Sequence, residues 1–206
     1  MRPTFSSYIS ACAIGAVIGI SGPAIATRDG KVDHIASAVL SSGWCYAALA
    51  FSFGLTSKSK MVSAISGTVA LLAAVLSYYV TKATQGEFVT TDLSDPTGKT
   101  TQFGWGEFTS ITLLWFLFAC TLGPALGVAG GLSRHAGYPS LCRITVPVIA
   151  FTETSMRLNV ESSMAEPIIV ETWSIIRVAA AVGGIALLGL YSFGSKNQKM
   201  DQMSST

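Results

Sequence analysis

The carboxyl group of Glu153 is the most chemically informative group in this chain. It interrupts an apolar segment that begins at Ile144, after nine uncharged residues, and Arg157 follows it by four positions. Residues at i and i+4 lie on one face of a helix. Two interpretations follow: an ion pair that pins this helix to its neighbours, or a carboxyl in an apolar chamber that donates a proton or orients a substrate. The predicted depth of the group does not separate them.

A second acid is predicted in the outer third of the sixth span, and most of the large rings are predicted in the outer half of the bundle. Glu171 follows Pro167, a favourable first residue of a helix. Desolvated ring faces stabilise cations by about 2 kcal/mol or more, although Tyr79 and Trp173 also suit an interfacial belt. The candidate catalytic residues are therefore Glu153 and Glu171. The candidate substrate-binding residues are Trp44, Tyr78, Tyr79, Trp115, Arg157 and Trp173.

The elements that must position these residues are long apolar segments. Five stretches of 18 to 26 residues carry no charged side chain, and a helix of about 20 residues crosses a bilayer core. Only 12% of the residues are charged, against about 25% in soluble domains. The sequence predicts an all-α, polytopic transmembrane bundle, multi-pass in the cell membrane, as a single domain 1–206. Its six predicted spans are 5–27, 35–56, 61–81, 108–133, 144–160 and 168–195.

The charges between the spans predict the orientation. If the N-terminus is cytoplasmic, the inner segments hold seven Lys or Arg residues against the single acid Asp201, and the outer segments are rich in acids. This asymmetry is the one that the positive-inside rule requires. Both termini are predicted to be cytoplasmic. The long connection 82–107, with turn signals at Asp95-Pro96 and Thr97-Gly98, is predicted to be an outer loop.

Small residues at four-residue spacing predict close helix packing. They occur at Ala11, Gly15 and Gly19 in the first span and at Gly123 and Gly127 in the fourth. His34 and His135 fall in opposite predicted loops, and no cysteine pair has metal-ligand spacing. We therefore predict neither a metal nor a cofactor. The net charge of +2, spread along the chain, argues against nucleic acid as a partner. The lipid bilayer and a hydrophobic small molecule are the predicted partners, and a homo-oligomer is left open.

The chain also resembles a family of small bacterial multi-helix integral membrane proteins. The resemblance lies in Trp44 to Gly54, Leu71 to Tyr79 and Gly123 to Gly131, followed by Pro147 and Glu153. It is closest in character to membrane-bound terpene cyclases of bacterial indole-terpenoid and prenylated-cyclodipeptide pathways. What the resemblance implies is cyclisation of a farnesyl-type prenyl chain on a preformed acceptor, started by protonation of an alkene or epoxide. A cyclisation of this kind, which belongs to secondary metabolism, needs one acid, a chamber poor in water and rings that stabilise cations.

Two other classes of protein fit the same pattern. The substrate-capturing six-helix component of a vitamin importer has a similar length and an outward-facing pocket, and Ala11, Gly15 and Gly19 would then form a docking surface. An envelope resistance or immunity protein is the third interpretation. The buried acid and the rings favour the cyclase at this stage.

Overall fold

The computed structural model describes residues 5–57, 59–91, 100–134, 142–161 and 166–204, with the side chains of Phe5, Glu161 and 190–204 excepted. These residues form seven helices and one two-stranded antiparallel sheet. The helices are α1 (Phe5–Ala26), α2 (Lys31–Leu40), α3 (Gly43–Thr56), α4 (Lys60–Thr84), α5 (Trp105–Leu132), α6 (Thr145–Glu161) and α7 (Pro167–Ser204), and the strands are β1 (Val89–Thr91) and β2 (Thr101–Phe103).

The helices confirm the all-α prediction, and several of them are long and apolar enough to be compatible with the predicted membrane character. By length and composition, four segments could cross a membrane: Ser6–Ala26, Lys60–Thr84, Trp105–Leu132 and Pro167–Gly189. The second predicted span, 35–56, is not one straight helix, because α2 and α3 meet at a bend of 55° and would together make a fifth span. The fifth predicted span, 144–160, is the 17-residue helix α6.

Two consecutive serines explain the bend between α2 and α3. Ser41 ends α2, and Ser42 adopts an extended backbone conformation before α3 begins at Gly43. The Ser42 hydroxyl donates back to the carbonyl of Val39, so it does not cap the helix that follows. Serine side chains compete with the helix for backbone partners in this way. The bend therefore exposes the first backbone N–H groups of α3 to another part of the chain.

A junction of small residues holds α3, α4 and α5 together. A β-carbon on Gly127 of α5 would collide with the backbone carbonyl of Ser63, and one on Gly54 of α3 would collide with Gly127 itself. Ser63 and Ser66 of α4 are fully buried beside this contact. Without side chains the backbones approach closely, which is the usual way that membrane helices gain packing contacts.

The small-residue face of α1 packs on α4. Ala11 is fully buried, and β-carbons added to Gly15 and Gly19 would collide with the carbonyls of Ala70 and Ala74. The matching order of these pairs makes the two helices parallel. The prediction of close packing by this face is confirmed, and the face is covered within the chain.

Contacts between element ends give the bundle a basic end and an acidic end. At one end Arg134 donates to the carbonyl of Leu55 at 2.7 Å and Arg143 donates to that of Ser133 at 3.1 Å. At the other end the Gln85 amide donates to the carbonyl of Pro23 at 2.9 Å, and His34 lies near Glu166. These contacts bring the ends of α3 and α5 and the start of α6 together at one end of the bundle, and the ends of α1 and α4 and the starts of α2 and α7 at the other. Several charges used to predict the orientation lie outside the described residues, namely Arg2, Lys58, Asp92, Asp95 and Lys99. The predicted loop residue His135 lies outside them as well.

The predicted outer loop 82–107 is more ordered than expected. Helix α4 extends to Thr84, and a hairpin pairs Val89 with Phe103 before α5 begins. Phe88 is buried under this hairpin, with its ring centroid 5.4 Å from that of Phe108 and 6.3 Å from that of Tyr79. The ring contacts tie the hairpin to α4 and α5. Residues 92–99, which contain the Asp95 turn, lie outside the described part of the chain.

The close contact of Gly127 with α4 yields the first prediction. Gly127→Ala should lower the stability of the bundle by about 1 to 3 kcal/mol, because the added methyl group must push α4 and α5 apart. We expect a lower apparent melting temperature and a smaller monodisperse fraction in detergent. Gly183→Ala is the matched control, since a β-carbon there meets no atom within 4 Å. Equal losses from the two variants would contradict the packing role.

Candidate functional site

Glu153 of α6 binds the start of α3. Its Oε1 accepts the backbone N–H of Gly43 at 3.0 Å, and its Oε2 accepts that of Trp44 at 2.6 Å. These donors belong to the first turn of α3, where helical N–H groups have no partner within the helix. The positive end of the helix dipole favours an anion there. Glu153 therefore caps α3 from a distant part of the sequence, whereas the side chain of Ser42 does not cap it.

Arg157 and Trp173 extend this contact to α7. The Arg157 guanidinium donates from Nε to Glu153 Oε1 at 3.1 Å, and its central carbon lies 5.0 Å from the centroid of the Trp173 ring. Trp173 is only 1% exposed, so the ring offers a dry face to the cation. The Glu153/Arg157 pair expected from i,i+4 spacing is therefore formed. It joins α3, α6 and α7 at the bend.

A cavity of about 660 Å³ adjoins this corner. We call it the aromatic cavity, because its lining contains Tyr46, Tyr78, Tyr79, Trp115 and Phe118. Leucine, valine, isoleucine and alanine side chains supply most of the rest, and Glu153 and Arg157 supply the charged corner. Pockets for small molecules have volumes of about 300 to 1,000 Å³ and few polar groups. This cavity has the size and the lining of such a pocket.

One side of the aromatic cavity lies between α5 and α6. Trp115, Phe118 and Leu122 of α5 line the cavity and are still 44%, 45% and 52% exposed. Helix α5 packs mainly on α3 and α4, whereas α6 packs mainly on α3 and α7; α5 and α6 are not among the pairs that pack extensively in the described residues. The cavity therefore has a lateral side between these two helices.

A second cavity, of about 310 Å³, lies on the other side of Arg157. We call it the small cavity. Its lining includes His34 and Ser37 of α2, Arg157 of α6 and Trp173 of α7, with Ala26, Ala38 and Ile169. It lies at the acidic end of the bundle, where His34 Nδ1 is 3.7 Å from Glu166 Oε2. Of the residues that line the two cavities, Arg157 is the one they share.

The structure brings most, though not all, of the predicted site residues together. Tyr78, Tyr79, Trp115, Glu153 and Arg157 all line the aromatic cavity, and Trp173 lines the small one.

Two predicted site residues lie elsewhere. Trp44 is the second residue of α3, at the bend rather than in the middle of a straight span, and it is absent from both linings. Glu171 is exposed on α7 and is also absent from both.

Sequence reasoning missed Tyr46, Phe118, His34 and Ser37 as lining residues. Tyr46 comes three residues after Gly43, so it lies above the capped turn of α3 on the same face. The Ser41-Ser42-Gly43 run was the available signal, because a helix break there would have placed Tyr46 near Glu153. His34 was assigned to a loop, whereas it lies in α2.

No family model, no curated protein sequence and no solved structure matches this chain. In the described residues no three His, Cys, Asp or Glu side chains come together as a metal-binding group. The candidate site is therefore defined by its geometry: two cavities that meet at an ion pair bound to a helix N-terminus.

The contacts of Glu153 predict a structural effect of its removal. Glu153→Gln should lower stability by roughly 1 to 2 kcal/mol, because hydrogen bonds to a charged group exceed neutral ones by about that amount. Glu153→Ala should cost more, since it leaves two N–H groups and Arg157 without this acceptor. Thermal unfolding in detergent measures both effects. Glu171→Gln, a change at an exposed glutamate, is the matched control and should be neutral; an equally large effect there would contradict the capping role.

Proposed function

We propose that this protein binds a lipophilic small molecule within the bilayer. The observation that carries the proposal is the aromatic cavity, whose volume of about 660 Å³ suits a chain of isoprenoid size and whose charged groups lie in one corner. An apolar molecule gains about 25 cal/mol for each Å² of its surface removed from water. A bilayer concentrates such molecules beside the cavity.

The ligand enters from the lipid, between α5 and α6. The exposed lining residues Trp115, Phe118 and Leu122 support this route, because a side chain that both lines a cavity and faces outward lies at an opening. In the described residues, few contacts join α5 and α6. A lipophilic molecule can therefore reach the cavity without passing through water.

Cyclisation of a prenyl chain on a preformed acceptor is the more specific activity that we propose. The rings of Tyr78, Tyr79 and Trp115 line the same cavity and would stabilise the successive cations of such a reaction. Cyclisation also needs a chamber that excludes water, and the lining is mostly aliphatic and aromatic.

Glu153 is better suited to hold the site than to start the reaction. Its two oxygens accept two backbone N–H groups and the Arg157 guanidinium, so both oxygens are occupied by bonds within the protein. Proton donation would require these bonds to open first. We therefore assign Glu153 as a positioning residue that sets the start of α3, and with it the placement of Tyr46, relative to α6. A cyclisation at this site would need the carboxyl to leave these donors, protonate an alkene and regain a proton from the final carbocation, which leaves the product an isomer of the substrate.

An importer component with its docking surface on α1 fits less well. Ala11, Gly15 and Gly19, the residues expected to form that surface, pack against α4. Simple binding without chemistry remains the second candidate, since it requires the same cavity and no acid.

We further propose six crossings of the cell membrane with both termini cytoplasmic. The grouping of Arg134 and Arg143 at one end supports this orientation by the positive-inside rule. In this arrangement α6 is a short crossing, and the bend between α2 and α3 lies inside the second.

The orientation predicts opposite labelling of two engineered positions. Single cysteines at Asp95 and at Lys199, in a background without native cysteines, should react differently with an impermeant reagent added to intact cells. The cysteine at position 95 should label and the one at position 199 should label only after permeabilisation. Equal labelling of both in intact cells would rule out this threading.

The cavity predicts binding of an isoprenoid probe. Purified protein in lipid nanodiscs should bind tritiated farnesol, and Trp115→Leu should weaken that binding by roughly five- to tenfold, because the ligand loses the contact of an aromatic ring. Trp105→Leu is the matched control, because Trp105 is 68% exposed and is not a lining residue. Equal binding by wild type and Trp115→Leu would place the site elsewhere.

Analysis of the bound molecule separates an enzyme from a binding protein. A cyclase given a prenylated acceptor returns an isomer of equal mass with fewer alkene groups, and Trp115→Leu should shift the products towards less cyclised forms. A binding protein returns its ligand unchanged.

A further inference from the structure

The two cavities differ in the chemistry of their walls. The aromatic cavity is lined mainly by rings and aliphatic side chains, whereas more than half of the small cavity's lining consists of His34, Ser37, Arg157 and Trp173. The small cavity also reaches the water at the acidic end, since the side chain of His34 is 43% exposed. One cavity suits an apolar chain, and the other suits a polar group.

Arg157 lies between the aromatic cavity and the small cavity. Its side chain lines both cavities and is held in place by Glu153 on one side and by the face of the Trp173 ring on the other. Its side chain retains 31% exposure and that of Glu153 retains 21%, so both remain within reach of a molecule in the cavities.

The groups of the small cavity favour a head group that accepts hydrogen bonds. The imidazole of His34 in the lining can donate a hydrogen bond. Arg157 contributes a guanidinium, which is a donor only. Because Glu153 already balances that charge and Glu166 lies at the rim, an uncharged acceptor such as an ester or amide carbonyl fits better than an anion.

We propose that the two cavities form one bipartite site for an amphiphile, with the apolar chain in the aromatic cavity, a carbonyl-bearing head group in the small cavity, and Arg157 as the partition between them. This inference rests on the proposed function and adds the head group and its place. The bound molecule would therefore extend from the bilayer side towards the water at the acidic end.

The partition can be tested without a ligand. In a background without native cysteines, a reporter cysteine replacing Ile149 in the aromatic cavity is exposed to a hydrophilic methanethiosulfonate in lipid nanodiscs. Arg157→Ala should raise the reaction rate by about tenfold or more, because water then reaches the aromatic cavity through the small one. Arg157→Lys should raise it less, and Arg177→Ala, a change on α7 outside both linings, should leave it unchanged.

A second reporter separates opening from unfolding. Ser66→Cys is nearly isosteric and lies at a fully buried position of α4, so it should stay unreactive in Arg157→Ala. Reaction at both reporters would mean that the bundle has loosened, and an unchanged rate at Ile149→Cys would mean that Arg157 is not a partition. Either result overturns the proposal.

The head group is tested with two probes that share one isoprenoid skeleton. Farnesyl acetate carries an ester carbonyl and farnesene carries none, and each competes with tritiated farnesol. Arg157→Ala should weaken the binding of farnesyl acetate by roughly tenfold, which is the scale of a hydrogen bond to a charged group. It should weaken the binding of farnesene by less than twofold. Equal weakening of both overturns the bipartite site while leaving the aromatic cavity intact. Failure of wild type to bind either probe overturns the proposed function itself.

Discussion

The contact on which the site depends is the one between the Glu153 carboxylate and the first turn of α3. A helix that starts inside a bundle has N–H groups that lipid cannot satisfy, and leaving them unpaired is costly. Glu153 meets two of them at 3.0 and 2.6 Å. The bend of 55° between α2 and α3 is tolerable because this acceptor exists.

The same contact explains why both cavities lie where they do. The bent pair packs on two different helices, because α2 contacts α7 and α3 contacts α6. Arg157, held by Glu153 and stacked on Trp173, lies where the two cavities meet. Glycine contacts close the space between the start of α4 and the end of α5. The aromatic cavity lies where the ring-bearing parts of α4 and α5 face α3 and α6.

The charge pair also limits the chemistry of the site. Both oxygens of Glu153 are occupied by hydrogen bonds from Gly43, Trp44 and Arg157, so these bonds must break before the carboxyl can transfer a proton. The rings of Tyr78, Tyr79 and Trp115 carry no such restriction, since a ring face attracts any cation that forms nearby. The proposed binding of a lipophilic molecule therefore depends on these rings more than on Glu153.

The sequence by itself determined the features that depend on composition and on local spacing. Long uncharged stretches predicted the long apolar helices, and the Ala11, Gly15 and Gly19 face predicted close packing. The i,i+4 spacing placed Glu153 and Arg157 on one helix face, with an ion pair as one of two interpretations. These follow from hydropathy and from helical periodicity, which neighbouring residues alone define.

Only the tertiary structure decided what Glu153 binds and which rings surround it. The bend at Ser42 is stable because a residue about 110 positions later supplies its cap, and no local pattern records such a distant partner. Trp44 therefore lies at the bend instead of in a cavity wall, Glu171 faces outward, and Tyr46 and His34 become lining residues. Periodicity gives the face of each helix, whereas the rotation and the contacts of the helices within the bundle decide which faces enclose a cavity.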